Sequence, residues 1–280
     1  MDDIPVWSKD HVRMHLPQRQ SGSHKGTYGT ALLIAGSTGM PGAAVLAAKA
    51  AMRSGLGKLV VATARESITP IASHVPEATF EPELMERIND PELDLTSYKA
   101  IAIGPGMLPD QKTEAAVEHL LQLGKPLVMD AGALSERTYA KTEAPVILTP
   151  HPGEFSRITG VPVEKLQQQR AHHAANCAVK LGVTIVLKGQ NTVIAFPDGE
   201  TYLNATGNSA LAKGGTGDTL TGMLLGMLCC HDNWRHAVLN AVHLHGACAD
   251  EWIKTHSAHT LLAHELTELL PTVMKPYEQQ

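Results

Sequence analysis

The residues best suited to chemistry lie between Asn204 and Leu225, where Lys213-Gly214-Gly215-Thr216-Gly217-Asp218 runs directly into an apolar pattern. Leu220, Met223, Leu224, Met227 and Leu228 recur at i, i+3, i+4, i+7 and i+8, which predicts a buried helix from about residue 216. A glycine-rich turn opening a helix leaves several backbone N–H groups without intrahelical partners. With the helix dipole they form an anion site. Gly214, Gly215 and Gly217 carry no Cβ to hold a phosphate away from the backbone. Asp218 is out of place beside an anion unless it works on one, as the base that deprotonates a hydroxyl attacking a phosphoryl group. The competing reading is an aspartate that merely complements the dipole of the first turn.

Further polar groups follow apolar runs. His151 sits in Thr149-Pro150-His151-Pro152-Gly153-Glu154, as a site residue or an ordinary loop histidine. Lys188-Gly189-Gln190-Asn191-Thr192 joins two apolar runs, as a turn or as a backbone-and-lysine contact to nucleotide phosphate. Asp130 ends a strand pattern, where it orients a metal-bound water or caps a neighbouring helix. Gly104-Pro105-Gly106 suits either a turn or a ligand lying against backbone. No GxxxxGK[ST] and no GxGxxG after the first strand occurs, which excludes a Walker loop and disfavours a dinucleotide-binding Rossmann site. The fifteen histidines show no metal-ligand spacing; His243 and His245, two apart on a helix, face apart.

These groups need a scaffold, and the composition fits one. The 280 residues are 43% hydrophobic and 18% charged, the signature of a globular chain with a large core. A net charge of −5, no basic cluster and 4% aromatics argue against nucleic-acid and membrane-surface partners. Cys177, Cys229, Cys230 and Cys248 lack CxxC spacing and read as buried thiols of a reducing compartment. No apolar run approaches roughly 18 residues and the N-terminus lacks a signal-peptide core, so a cytoplasmic location is expected.

Strands are predicted over 31–35, 58–63, 99–103, 126–129, 146–149 and 183–187, with 192–196 and 201–203 flanking the hairpin signal Pro197-Asp198-Gly199-Glu200. Helices are predicted over 43–54, 111–123, 162–181, 216–229, 234–254 and about 258–270. Alternation of this kind defines an α/β class: a mostly parallel, doubly wound sheet between helical layers with a late antiparallel hairpin. The polar opening is read as an arm over 1–24, and 25–280 as a single domain. In such sheets ligands bind beyond the carboxyl ends of the strands, where the polar and glycine residues gather. The helix at 43–54, built of small residues, is expected to let a neighbour pack closely and to be available, with the C-terminal helices, for subunit contacts.

Assembled in order, the motifs resemble the ADP/ATP-dependent NAD(P)H-hydrate dehydratase family of the ribokinase-like superfamily, in a standalone form without the epimerase domain. The resemblance rests on His24 to Gly29, Gly36 to Ala44, Ile103 to Gly106, Met129 to Leu134, Leu148 to Glu154, Leu187 to Thr192 and Asn204 to Gly222. It implies a three-layer ribokinase-like fold and repair of hydrated NADH or NADPH. The hydroxyl is phosphorylated from ADP or ATP and phosphate then leaves. By position, Asp218 is the implied base, and Gly214, Gly215, Thr216 and Gly217 the implied anion hole. Lys188, Gly189, Gln190, Asn191, Thr192 and Gly217 are the implied adenine-nucleotide contacts, and Ala43, Gly106, His151 and Asp218 the contacts to the hydrate. Mg2+ is the expected counter-ion, its ligands unassigned, with Asp130 and Glu154 as candidates for water-mediated contact. Gly132 departs from the pattern, standing where an acidic residue is often expected. The resemblance also implies a homo-oligomer, a tetramer, working with a separate epimerase. The rival readings are a vitamin-precursor alcohol kinase of the same fold and a non-catalytic nucleotide sensor.

Overall fold

The structure is a computed structural model that describes residues 4–90, 92–139 and 144–278. Nine strands form one sheet: β1 (Thr30–Ile34), β2 (Lys58–Ala62), β3 (Thr79–Phe80), β4 (Ala100–Ile103), β5 (Leu127–Met129), β6 (Val146–Leu148), β7 (Thr184–Leu187), β8 (Val193–Ala195) and β9 (Thr201–Leu203). Their order is β3-β2-β1-β4-β5-β6-β7-β8-β9, with parallel pairing as far as β7 and antiparallel pairing from β7 to β9. Among the described residues ten α-helices accompany them: α1 (Lys9–His15), α2 (Pro41–Arg53), α3 (Arg65–His74), α4 (Gln111–Gln122), α5 (Pro152–Thr159), α6 (Val163–Gln168), α7 (Arg170–Leu181), α8 (Thr216–Cys230), α9 (Trp234–Trp252) and α10 (Ala263–Met274).

Side-chain alternation splits the core in two. Ala31, Leu33, Leu59, Val61 and Val128 join α2, α8, α9 and α10 in one apolar cluster. Leu32, Ile34, Ile101, Met129 and Ile185 join α4, α5 and α7 in the other. The central strands are therefore buried on both faces, which is why they read as unbroken apolar runs, while the edge strands β3 and β9 are only partly covered. The result is the three-layer arrangement that the pattern predicts.

The structure departs from the sequence reading in three regions of the chain. The helix expected over 162–181 breaks at Gln169, whose φ of −142° and ψ of 51° separate α6 from α7. Helix α3 and the two-residue strand β3 have no counterpart in the prediction, since α3 carries Pro70 inside it. The stretch expected to be a loop from Pro150 to Glu154 instead starts α5, with His151 as its N-cap and Pro152 at the first turn, where proline suits a helix.

The small residues of α2 let another helix of the chain pack closely, as the sequence predicts. A Cβ on Gly222 would fall 2.1 Å from the Ala47 carbonyl oxygen, and one on Gly226 would fall 2.5 Å from that of Ala51. Two i,i+4 pairs of small residues thus bring the axes of α2 and α8 together. One step further toward both N-termini stand Ala43 and Asp218.

The N-terminal segment is packed against the body. Trp7 is 5% exposed, and its Nε1 donates to Asn240 Oδ1 of α9 at 2.9 Å. Its backbone N–H donates to the Leu203 carbonyl at the edge of the sheet. His243, which faces away from His245 as expected, contacts the Trp7 carbonyl, while His245 contacts that of Thr216.

Candidate active site

Helix α8 opens on Gly215, whose φ of 92° lies in the left-handed region and whose N-cap position makes no side-chain hydrogen bond. The first helical bond runs from the Thr219 N–H to the Gly215 carbonyl, so no side chain caps the first-turn amides. The turn is held from behind. Thr216 Oγ1 donates to the carbonyls of Leu211 and Lys213, and the buried His245 Nε2–H donates to the Thr216 carbonyl at 2.9 Å. Burial keeps that imidazole neutral, its pKa pushed down to about 4.

Asp218 sits in this first turn. Burial raises its pKa to about 6, helped by the carboxylates of Asp130 and Glu154 and opposed by the Lys188 ammonium. No hydrogen bond to it contributes, so its oxygens remain open to a ligand.

Asp130 and Lys188 stand behind it. Lys188 Nζ lies 2.9 Å from Asp130 Oδ1 and 3.7 Å from Glu154 Oε2. Thr221 Oγ1 donates to Asp130 Oδ2 at 2.9 Å. Burial alone raises an aspartate, but Lys188, Thr149 and Thr221 outweigh it and hold Asp130 below the usual carboxylate range. Burial likewise works against the Lys188 charge, and Asp130, Glu154 and Asp218 overcome it. Of the two sequence readings of Asp130, the capping one gives way, because its side chain makes no capping hydrogen bond at the turn it precedes and instead meets Lys188 through one oxygen and Thr221 through the other. The departure at Gly132 also has a steric cause, because a Cβ there would fall 2.3 Å from the Met107 carbonyl oxygen.

His151 caps α5. Its Nδ1 accepts from the N–H groups of Gly153 and Glu154, which leaves the proton on Nε2, 3.5 Å from Glu154 Oε1. Glu154 Oε2 in turn accepts from the His151 N–H. Asp130, His151, Glu154, Lys188, Gly217 and Asp218 line one cavity of about 380 Å³. Lys188, Gly189, Thr216 and Gly217 also border a larger one of about 640 Å³, which takes in Gln190, Asn191 and Thr192. Asn191 at φ 52° and Ala131 at φ 47° are the non-glycine residues with positive φ among the described residues, and each borders a cavity. Gly106 and Ala43 meet beside this edge: a Cβ on Gly106 would fall 2.8 Å from that of Ala43. Gly214 has open space around its Cα.

Among the described residues no three His, Cys, Asp or Glu side chains are grouped to hold a metal directly. Thr221, His245 and the segment from Asn204 to Asn208, which lines the larger cavity, were not singled out as ligand contacts from the sequence. Thr221 and the segment from Asn204 to Asn208 both fall within the stretch from Asn204 to Leu225 that the sequence marks as suited to chemistry, whereas His245 carries no such signal.

This edge, with an uncapped glycine turn, a free aspartate and a lysine shared by two cavities, together with the sheet order, defines a ribokinase-like α/β protein. A family model for NAD(P)H-hydrate dehydratase matches residues 31–272, and the chain belongs to that family. It is 60% identical to the ADP-dependent (S)-NAD(P)H-hydrate dehydratase of Bacillus subtilis over 99% of this chain and 100% of that protein. A crystal structure of the Bacillus subtilis ADP/ATP-dependent NAD(P)H-hydrate dehydratase, co-crystallised with ATP/Mg2+, superposes with a TM-score of 0.97 at 59% identity, covering 99% of this chain and 100% of that one. The bifunctional NAD(P)H-hydrate repair enzyme Nnr of Moorella thermoacetica is 35% identical over 96% of this chain, which spans 53% of that longer protein.

Proposed function

We propose that the protein is a hydro-lyase that restores NADH or NADPH from the S-epimer of its hydrate, using ADP or ATP and releasing AMP or ADP with phosphate. The observation that carries the reading is the unbonded Asp218 carboxylate, with a pKa raised to about 6, beside amides that no side chain caps. Asp218 takes the proton of the ring hydroxyl as that oxygen attacks the terminal phosphoryl group, and AMP or ADP leaves. The amides of Gly214, Gly215, Thr216 and Gly217 hold the transferred group. The ring nitrogen lone pair then expels phosphate, a far better leaving group than hydroxide. Loss of the neighbouring C5 proton restores the double bond.

Lys188 to Thr192 and Gly217 are assigned to the adenine nucleotide, and Ala43, Gly106, His151 and Asp218 to the hydrate. In support, the first set borders the larger cavity, and His151 and Asp218 share the smaller one. His151 offers its Nε2–H as a donor. The residues fit a Mg2+ ion carried by the nucleotide. The carboxylates of Asp218, Asp130 and Glu154 outnumber the two lysines, Lys188 and Lys213, that line the same cavity, and Mg2+ needs few protein ligands when phosphates and water supply the rest. When bound, it would neutralise phosphate charge, and Asp130 and Glu154 are assigned as its candidate water-mediated contacts.

Residues 25–280 are taken as the catalytic unit, with 1–24 as an arm. We place the protein in the cytoplasm, as a homotetramer served by a separate epimerase. The bifunctional Moorella relative supports that functional link. Four free cysteines, three of them buried, support a reducing compartment. No described helix is long and apolar enough to cross a membrane.

The test is to mix the protein with hydrated NADH, Mg2+ and ADP or ATP, and to follow the near-ultraviolet absorbance of reduced nicotinamide. A rise that requires nucleotide, with inorganic phosphate released in step, supports the reading. A phosphomonoester product from an added alcohol, with no rise on the hydrate, would establish the rival kinase instead.

A further inference from the structure

Arg170 is the first residue of α7, and on structural grounds alone it is badly placed. A cation at a helix start opposes the dipole, and no acidic residue occupies this first turn. Its Nε is buried without a hydrogen-bond partner. Burial lowers its pKa, and no carboxylate acts in the other direction.

What the guanidinium does touch is the start of the loop assigned to nucleotide. Its Nη2 donates to the carbonyls of Leu187 at 3.0 Å and Lys188 at 3.2 Å. Along a strand, successive carbonyls point to opposite sides. Two neighbours converging on one nitrogen therefore mark where the chain leaves β7. Gly189 follows with φ 142°, and a Cβ there would fall 2.4 Å from Arg170 Nη1. The guanidinium occupies the space that a side chain on Gly189 would need, and the break at Gln169 is what starts α7 at this arginine.

We infer that Arg170 is a positioning residue for the loop from Lys188 to Thr192, and that its unpaired charge is completed by the phosphates of a nucleoside di- or triphosphate bound against that loop. The inference rests on the nucleotide reading above. The guanidinium fixes the carbonyl directions of Leu187, the last residue of β7, and Lys188, the first of the loop, and adds one positive charge behind that loop. The adenosine end, which the cavity wall at Thr206, Asn208 and His245 would receive, draws nothing from it. Arg170 therefore governs the phosphate-dependent part of the affinity.

The experiment is calorimetric titration of the full chain with ADP, and displacement of ADP by adenosine, in wild type, R170M and R170K. The charge-neutral R170M is expected to lose about tenfold in ADP affinity while adenosine stays within about twofold, and its ADP affinity should vary less steeply with salt. R170K, which keeps the charge, is expected to regain most of the ADP affinity. Equal loss of ADP and adenosine in either variant would mean mere scaffolding and overturn the inference, as would unchanged ADP affinity in R170M. If R170M fails to fold, R170K decides: folded protein that loses ADP affinity as severely as tenfold overturns the counter-charge role. Failure of the wild type to bind ADP at all would sink the nucleotide reading itself, a result distinct from any of these.

Discussion

Lys188 Nζ lies 2.9 Å from Asp130 Oδ1, a contact that joins the ends of β7 and β5 beneath the first turn of α8. Asp130 is 1% exposed and takes its second hydrogen bond from Thr221 of α8, so three elements meet on one carboxylate. The pair thereby fixes the floor beneath Asp218, and it makes Lys188 a structural residue as well as one that lines both cavities.

Removing one partner leaves the other charge buried and unpaired. Lys188→Met is expected to destabilise the fold by about 3–5 kcal/mol. The double variant with Asp130→Asn is expected to recover a large part of that loss, because no naked charge remains. Urea unfolding of the two single variants and the double variant measures the cycle. Additive losses would show that the pair is not coupled.

Asp218 has the opposite energetics. Its pKa rises from an ordinary 3.8 to about 6 in the folded chain. Its contribution to stability is thus fully present below pH 3.8 and is lost as pH rises through about 6. Above that range the ionised group costs on the order of 3 kcal/mol. Asp218→Asn is therefore expected to raise the melting temperature at neutral pH, with the gain shrinking toward zero in acid. The same variant is expected to lose about 10²–10⁴-fold in turnover while still binding nucleotide. Thermal melts across pH and an isothermal titration check both halves. A variant that melts lower at neutral pH would mean that the carboxylate is a structural cap.

Much of this was legible in the sequence. The strands announced themselves as apolar runs because both faces of the sheet are covered, and Lys213 to Asp218 announced a helix start because glycines cluster where backbone must approach a ligand. The roles of Asp130 and Arg170 were not legible. Asp130 meets a lysine 58 positions away, and no local pattern records a partner brought in by crossover connections. Arg170 lies within what read as a continuous helix, since nothing in the periodicity marks the break at Gln169. Helix α5 was within reach: Pro152 at its first turn and Glu154 at the third position are start signals, obscured by a histidine in the capping place.

The contact of α2 with α8 yields a packing test. A methyl group at residue 222 would fall 2.1 Å from the Ala47 carbonyl oxygen, which is backbone and has nowhere to swing. Gly222→Ala is expected to force the two helices apart, at a cost of about 1–3 kcal/mol for overpacking, despite alanine's better helix propensity. Because Ala43 and Asp218 lie on the same two ridges, KM for the hydrate is expected to rise as well. Gly214→Ala, with open space at its Cα, is the control and should leave stability nearly unchanged. Denaturant midpoints of the two variants decide; equal midpoints would mean that the helices accommodate the methyl without moving.

The charges around Asp218 make the pH profile adjustable. As base it must be ionised, so kcat/KM is expected to fall as pH drops through about 6. Glu154 is one of the carboxylates that hold its pKa up. Glu154→Gln removes that like charge while keeping an oxygen to accept from the His151 N–H, so the cap of α5 survives. The acid limb should therefore move to lower pH, since an easier ionisation leaves more of the base active in acid. If Asp218 were not the base, the limb would stay where it is in this variant, and kcat/KM profiles of the two proteins under matched salt make the comparison.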